Sequence, residues 1–500
     1  MKSINAYRGV LACGLCVLLA PVFCPARAFA QTVAPPLPGG DQTLGRIPRK
    51  LSLGQAEDLL TQRNLSVIAA KYQIEAGRAA RLMAGYKPNP VLTVGMEQVP
   101  FYSPLAGSYP RFLKTNPDAG ANPVYTIRFD KVWERGGKRE LRLSQADLQL
   151  KAAEARMLDE ARTQLYQLRQ AFTQAALARE NLQLAETMQR QYEQTEKLTV
   201  AKVELGDLAG IQIYRIRAGL LQYQQAVAQA HTAYEQATRD VLNVLGVRAE
   251  EIEDSPAQIT AQDAASPAEE TTLTASLSDA VDAEPGAVSA PTAAQSQGSL
   301  SDSPLEISFL FDDRPVVETL AEMRRIALAE RPDVIAARRL VEAADCAVSL
   351  TRAQRSRDLD FAWEYQRVGN DHSFGAVVSI PLFIYNNQRA AVAQAEAQRK
   401  AAEALLKQAE TQAITDVEKA YQAYLSARRI LDLYSTQNLS QVAKLRDITS
   451  YTFQQGALSL FELLDAQRYY NQTLTSYNQT RADYQLALWQ IEQAIGKPLR

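Results

Sequence analysis

The chain has 500 residues, 46% of them hydrophobic and 22% charged, and 54 Lys and Arg against 56 Asp and Glu give it a net charge of −2. Its basic residues are scattered among acids rather than massed in a patch, which argues against a nucleic-acid partner. Beyond the N-terminal segment no apolar run reaches 18 residues, so the sequence offers no transmembrane helix.

Lys2 and Arg8 precede an apolar stretch over residues 10–23, and Ala28-Phe29-Ala30 supplies a small-x-small cleavage site before Gln31. Residues 1–30 are therefore expected to be a secretory signal peptide. Lipid attachment at Cys24 is disfavoured, because Phe23 is bulky where a small residue is needed. Removing Lys2, Arg8 and Arg27 from 54 basic residues leaves 51 against 56 acids, a charge of −5, and leaves Cys346 as the single cysteine. No internal disulfide is then possible. Residues 31–50, with Pro35, Pro36, Pro38, Gly39 and Gly40, are expected to be a flexible leader.

A helix is expected over about residues 53–86, and its second copy over about 317–355. Ile68-Ala69-Ala70-Lys71 matches Ile335-Ala336-Ala337-Arg338 at an offset of 267. Four segments of period-two alternation follow these helices in pairs. Leu92, Val94 and Met96 mark the first, Tyr125, Ile127 and Phe129 the second, Leu359, Phe361, Trp363 and Tyr365 the third, and Phe374, Ala376 and Val378 the fourth. Each predicts a strand with one apolar and one polar or small face. A Pro/Gly-rich stretch over residues 100–123 separates the first pair.

Residues 138–205 contain no Gly and no Pro, and neither do residues 388–455. A helix of that length would reach roughly 100 Å. Gly136-Gly137 and Asn386-Asn387 precede the two runs, Gly206 and Gly456 follow them, and returning helices end at Gly246 and Gly496, all at an offset of 250. Each run is thus one arm of an Ala- and Gln-rich helical hairpin. Residues 51–246 and 314–500 are two copies of one plan. Between them, residues 247–313 form an acidic Ala/Ser/Pro-rich linker expected to be largely disordered, of which only residues 307–311 look able to pair or dock.

Strand, strand and long helical hairpin, duplicated behind a signal peptide, resemble the TolC-like outer-membrane efflux family. Gly136-Gly137-Lys138-Arg139 resembles the family's start of the first long helix, and Ser379-Ile380-Pro381-Leu382-Phe383 its second barrel exit. The run Phe453-Gln454-Gln455-Gly456-Ala457-Leu458-Ser459-Leu460-Phe461-Glu462-Leu463-Leu464-Asp465-Ala466-Gln467-Arg468 resembles its second hairpin tip. Within the family the pattern is most similar to the cation-efflux (CzcC-type) branch. The resemblance implies a mainly α fold with a small β part: a homotrimeric, twelve-stranded outer-membrane β-barrel continued by a periplasmic α-helical tunnel. Four strands per chain cannot close a membrane barrel, since bacterial barrels need at least eight. The implied function is the passive duct of a tripartite efflux system in a Gram-negative outer membrane. Its partners would be a periplasmic adaptor (membrane fusion) protein, an inner-membrane pump of the RND type and outer-membrane lipid, and its cargo heavy-metal cations. The alternatives are the outer-membrane component of a type I protein secretion system and, in another class, a structural periplasmic coiled-coil protein.

Glu462 and Asp465 stand three apart on one helix face, and the resemblance makes them acidic gate residues. Their counterparts at offset 250 are Gln212 and Arg215, and Arg215 reaching Asp465 of a neighbouring hairpin would hold the gate closed. The plainer alternative is a solvated face with Asp465 paired to Arg468. Gly206, Asp207, Leu208, Gly456, Ala457, Leu458 and Ser459 are the expected adaptor-contact turns, although Gly206 and Gly456 are needed for the reversals in any case. His231 on a returning helix and His372 in an outer loop lie in different elements, no His, Cys and carboxylate cluster has ligand spacing, and Cys346 is expected to be a small buried helix residue. No metal, cofactor or catalytic residue is expected, since Gly-x-Ser-x-Gly, phosphate-loop and His-Glu-x-x-His motifs are missing.

Overall fold

The computed structural model describes residues 46–97, 123–252, 305–312, 315–382, 384, 387–434 and 436–499. Contacts divide the chain at residue 47, and the architecture below is that of the second unit, Pro48–Arg500. The expected signal peptide, most of the leader, nearly all of the loop 100–123, most of the acidic linker and Asn386 lie outside the described residues. Among the described residues no helix is long and apolar enough to cross a membrane.

The first copy opens with strand β1 (Lys50–Ser52), helix α1 (Leu53–Arg63) and helix α2 (Leu65–Gly85). The second opens with strand β4 (Glu306–Ser308), α5 (Leu320–Glu330) and α6 (Pro332–Ala353). The single helix expected in each copy is therefore broken in two. The breaks fall at Asn64 (φ −62°, ψ 120°) and Arg331 (φ −63°, ψ 125°), which are 267 positions apart. In copy one the Asn64 side chain accepts from the Val67 N–H at 3.0 Å and restarts the helix as its N-cap. In copy two Pro332 cannot donate to a continuing helix and takes the first helical position instead. The offset also fits the helix starts, where Gln55 accepts from Ser52 and Glu322 from Thr319 in matching capping boxes.

Strands β2 (Val91–Glu97), β3 (Val124–Trp133), β5 (Leu359–Val368) and β6 (Asp371–Ser379) form one antiparallel sheet in the order β2-β3-β5-β6, so its central pairing joins the two copies. The register aligns Val94, Ile127, Tyr365 and Phe374 across all four strands, and likewise Leu92, Phe129, Trp363 and Ala376. One face is therefore mainly apolar and aromatic, the other mainly polar or small, with Val91, Val124, Val132, Val368 and Val377 toward its two ends. Val94 (72% exposed) and Phe374 (73%) are bare in the single chain. His372 lies in β6 beside the turn rather than in a loop, its ring nitrogen 2.5 Å from the Tyr365 hydroxyl. The outer strands β2 and β6 each present an unpaired edge among the described strands.

The sheet is bolted to the helices by the residues that start helix α3 (Lys138–Glu204). Lys138 donates at 2.8 Å to Asp358 and at 2.8 Å to the Ser356 carbonyl, in the connection from α6 to β5. Gly136, at φ +77°, lies so close that an added Cβ would sit 2.8 Å from Ser356 Cβ. Helix α3 runs unbroken for 67 residues and α4 (Ile211–Leu245) returns beside it. The second run differs from expectation, since it splits into α7 (Arg389–Leu433) and α8 (Thr436–Gln454) before α9 (Leu460–Ile495) returns. The Asn438 side chain donates to the Leu433 carbonyl at 2.7 Å, a short polar side chain competing with the helix ladder where neither Gly nor Pro is present. The left-handed residue that starts α7 is Gln388 (φ +61°), one position beyond the expected Asn387.

At mid-length the helices carry a compact waist. Strand β4 pairs in parallel with β1 over residues 306–308, which overlaps the segment 307–311 expected to pair or dock only at Ile307 and Ser308. Tyr234 donates to the Leu305 carbonyl at 3.1 Å, Arg179 donates to the Ile307 carbonyl, and Phe309 lies 6.0 Å from Phe172. Met323, Val417, Tyr424, Tyr484, Leu488, Ile491 and Ile495 pack into one cluster, where each large buried side chain contributes about 1.5–3 kcal/mol. Cys346 is half-buried rather than buried. Each returning helix is tied back to its own copy: Asn64 donates to the Val244 carbonyl at 2.7 Å and Arg331 to the Ala494 carbonyl at 3.2 Å. Those two carbonyls are 250 positions apart, so both offsets meet at this joint.

Candidate functional site

The two hairpin ends present the same backbone device. The Asp207 N–H donates to the Lys202 carbonyl (2.9 Å) and the Gly206 N–H to that of Val203 (3.0 Å). At offset 250 Ala457 donates to Thr452 (3.1 Å) and Gly456 to Phe453 (3.0 Å). This double closure needs a left-handed residue, which Gly206 (φ +86°) and Gly456 (φ +77°) supply without a Cβ penalty. No atom outside the immediate backbone lies within 4 Å of the Cβ position of Gly206, so that turn faces open space.

The tips of one chain are joined to each other. Phe453, Leu460 and Leu463 form a small buried cluster against which Leu208, Leu458 and Leu464 pack. Leu208 and Leu458 are thus half-buried where the two turns meet, while Leu205, Gly206, Asp207, Gly456, Ala457 and Ser459 are exposed. Lys202 adds a polar link. Its ammonium donates to the Phe453 carbonyl at 2.8 Å and the Gln454 carbonyl at 3.1 Å, and lies 5.0 Å from the centre of the Phe453 ring. A cation is favoured there because it meets the negative end of helix α8. No local pattern marks this lysine, since the pairing spans 251 residues.

Glu462 has a local task. Its carboxylate accepts from the Ser459 N–H at 3.0 Å and from the Ser459 hydroxyl at 2.7 Å, closing a capping box on α9. The Ser459 hydroxyl and N–H together hold the Glu462 carboxyl below the usual range. The Ser459-x-x-Glu462 spacing is the sequence signature of this box. Asp465 pairs with Arg468 at 2.7 Å, on an exposed face. Arg215 donates to Gln212 at 3.2 Å. Within one chain the structure does not bring Arg215 to Asp465. It places Gln212 and Arg215 just past the first tip, and Glu462 and Asp465 just past the second.

Behind the tips the hairpins meet along a polar seam between α3 and α9. Gln467 donates to Thr195 (3.4 Å), Asn478 to Asn181 (3.4 Å), Arg481 to Glu180 (3.3 Å) and Arg169 to Glu492 (2.5 Å). Within the first hairpin the packing is different: the Tyr192 and Tyr223 rings lie 4.3 Å apart, and burial, then Tyr223, pushes the Tyr192 hydroxyl up to about 12. Among the described residues no group of three or more His, Cys, Asp or Glu is placed to hold a metal ion.

Residues 323–497 match the family model described as "Outer membrane efflux protein". No curated protein sequence matches the chain. Among solved structures, the outer-membrane channel OprN superposes with a TM-score of 0.66 at 18% identity, covering 89% of each chain. CusC, described for its folding and transmembrane channel formation, gives 0.63 at 15% identity over 92% of this chain and 95% of its own. The outer membrane protein VceC of Vibrio cholerae gives 0.63 at 15% identity over 90% of this chain and 97% of its own. The second copy thus carries the efflux-protein match, and the chain shares the fold of outer-membrane channels along nearly its whole length.

Proposed function

We propose that this chain is the outer-membrane duct of a tripartite efflux system, passing substrate that an inner-membrane pump and a periplasmic adaptor deliver. The observation that carries the reading is the four-stranded sheet with one apolar face, one polar face and two open edges, bolted to a helix of 67 residues that reaches roughly 100 Å away from it. A sheet with an apolar outer face belongs in lipid, and open edges are not tolerated there. Three copies giving four strands each would close a twelve-stranded barrel, within the known size range. Strands of 9 and 10 residues in β3, β5 and β6 suit a tilted membrane crossing. The hairpins would then build the tunnel, and the exposed residues of the turns at 205–207 and 456–459 would meet the adaptor. Asp465 and Glu462, with Arg215 and Gln212 between them around the axis, would line the gate. Heavy-metal cations, carried through an RND-type pump, are the cargo we favour, on the resemblance to the cation-efflux branch.

Two measurements test this. In outer-membrane fractions the protein should run as a heat-modifiable trimer, and a soluble periplasmic monomer would sink the duct reading. A gene deletion should sensitise cells to zinc, cobalt, nickel, copper or silver. Sensitivity to dyes and detergents instead would replace the metal cargo with amphiphiles, and loss of secreted proteins from the medium would replace efflux with protein export.

A further inference from the structure

The register of the sheet sorts charge as strictly as it sorts hydrophobicity. Glu97, Asp130, Asp360, Glu364 and Asp371 are all the acids of the four strands, and the strand pairings put every one on the polar face. Of the three strand cations, Arg128 alone shares that face, while Lys131 and Arg367 lie on the apolar face near its opposite ends. Arg128 is already committed: it donates to Asp130 at 2.8 and 2.9 Å, with Glu364 4.0 Å away. Among the described residues no cation lies within ion-pair distance of Glu97, Asp360 or Asp371, and one Asp360 oxygen is sealed from solvent with no hydrogen-bond partner. The polar face therefore carries five formal negative charges and one positive per chain, facing whatever the sheet encloses. The outward cations fit a different role, since each sits near aromatic residues at a strand end, where lipid headgroups would meet them.

We infer that the polar face of this sheet makes the barrel segment of the conduit prefer cations to anions, with Glu97, Asp360 and Asp371 setting the preference. The inference rests on the duct reading above and adds the charge class of what passes. The physical basis is the focusing of like charges in a low-dielectric wall, which raises the local concentration of counter-ions. Salt shortens the reach of that field to about 10 Å at 0.1 M, so the preference should fade as ionic strength rises.

The purified full-length protein, reconstituted in planar bilayers under a KCl gradient, tests this by its reversal potential. K+ should permeate better than Cl−, and the combined variant Glu97→Gln, Asp360→Asn, Asp371→Asn should lower the permeability ratio by about twofold or more. This variant leaves the Arg128–Asp130–Glu364 cluster intact, as well as Glu462 and Asp465 at the tips. The outward pair Lys131→Gln, Arg367→Gln should leave the ratio unchanged. A conducting channel that prefers anions, or one whose cation preference survives the triple variant, overturns this inference alone. Absence of any conductance, in the wild type and in an Asp465→Arg background alike, overturns the duct reading and the inference with it.

Discussion

Single side chains divide into those that hold the fold and those free to act, and burial decides which is which. Arg331 is 3% exposed and holds Asp333 at 2.7 Å, Asp416 at 3.1 Å and the Ala494 carbonyl. Arg331→Met should destabilise the protein by about 3 kcal/mol, the low end for a broken buried pair because both carboxylates keep some water. The urea midpoint of the detergent-solubilised protein measures it, and a midpoint unchanged within error would contradict the role assigned. Asp465 is the opposite case: its pairing with Arg468 is exposed, and Asp465→Ala should change stability by under about 1 kcal/mol. Asp465→Arg should instead raise single-channel conductance and antibiotic leakage, and unchanged leakage would remove Asp465 from the gate. Ser459→Ala should cost about 1 kcal/mol in the first turn of α9, read as faster amide exchange of residues 460–463. Because the folded state lowers the Glu462 carboxyl, its stabilisation is complete above the ordinary value of about 4.3. It is lost as pH falls through the lower folded value. Exchange at that turn should therefore quicken, relative to Ser459→Ala, only in acid.

At the scale of elements, the joint between sheet and helices is the most demanding point. Gly136→Ala combines a left-handed backbone with a Cβ placed 2.8 Å from Ser356, so it should destabilise by more than about 1 kcal/mol. The yield of heat-modifiable oligomer in outer membranes checks this, with Gly54→Ala, which meets nothing within 4 Å, as the tolerated control. The landmarks that announced the elements were glycines at turns and period-two runs in strands. Both are local signals, and both fell where the structure puts turns and strands. What stayed hidden was set by partners far along the chain. The breaks at Asn64 and Arg331 are stabilised by carbonyls 180 and 163 residues away, although Pro332 itself was a readable stop. The split between α7 and α8 had no Gly or Pro to mark it. At the tips the turns were legible and Lys202 was not, for the same reason.

For the molecule as a whole, the two faces of the sheet make opposite demands. Phe129→Arg on the apolar face should cost about 2–4 kcal/mol and deplete the folded protein from membranes. Thr126→Arg, on the polar face of the same strand, should be tolerated, and equal depletion by both would contradict the assignment of faces. The joint where Asn64 meets Val244, and Arg331 meets Ala494, also bears on how such a chain is made. At this joint each half meets the last turn of its own final helix, so a nascent chain leaves the ribosome with the joint open until nearly all of that half has emerged. The sheet also waits for the second half: β3 pairs with β5, so the first half alone owns a two-stranded hairpin too small to stand by itself. A chain truncated shortly before Ala494 would leave the Arg331 guanidinium with Asp333 and Asp416 but without its carbonyl partner, in a gap meant to be closed, a flaw that a quality-control protease could detect before the protein ever reached lipid.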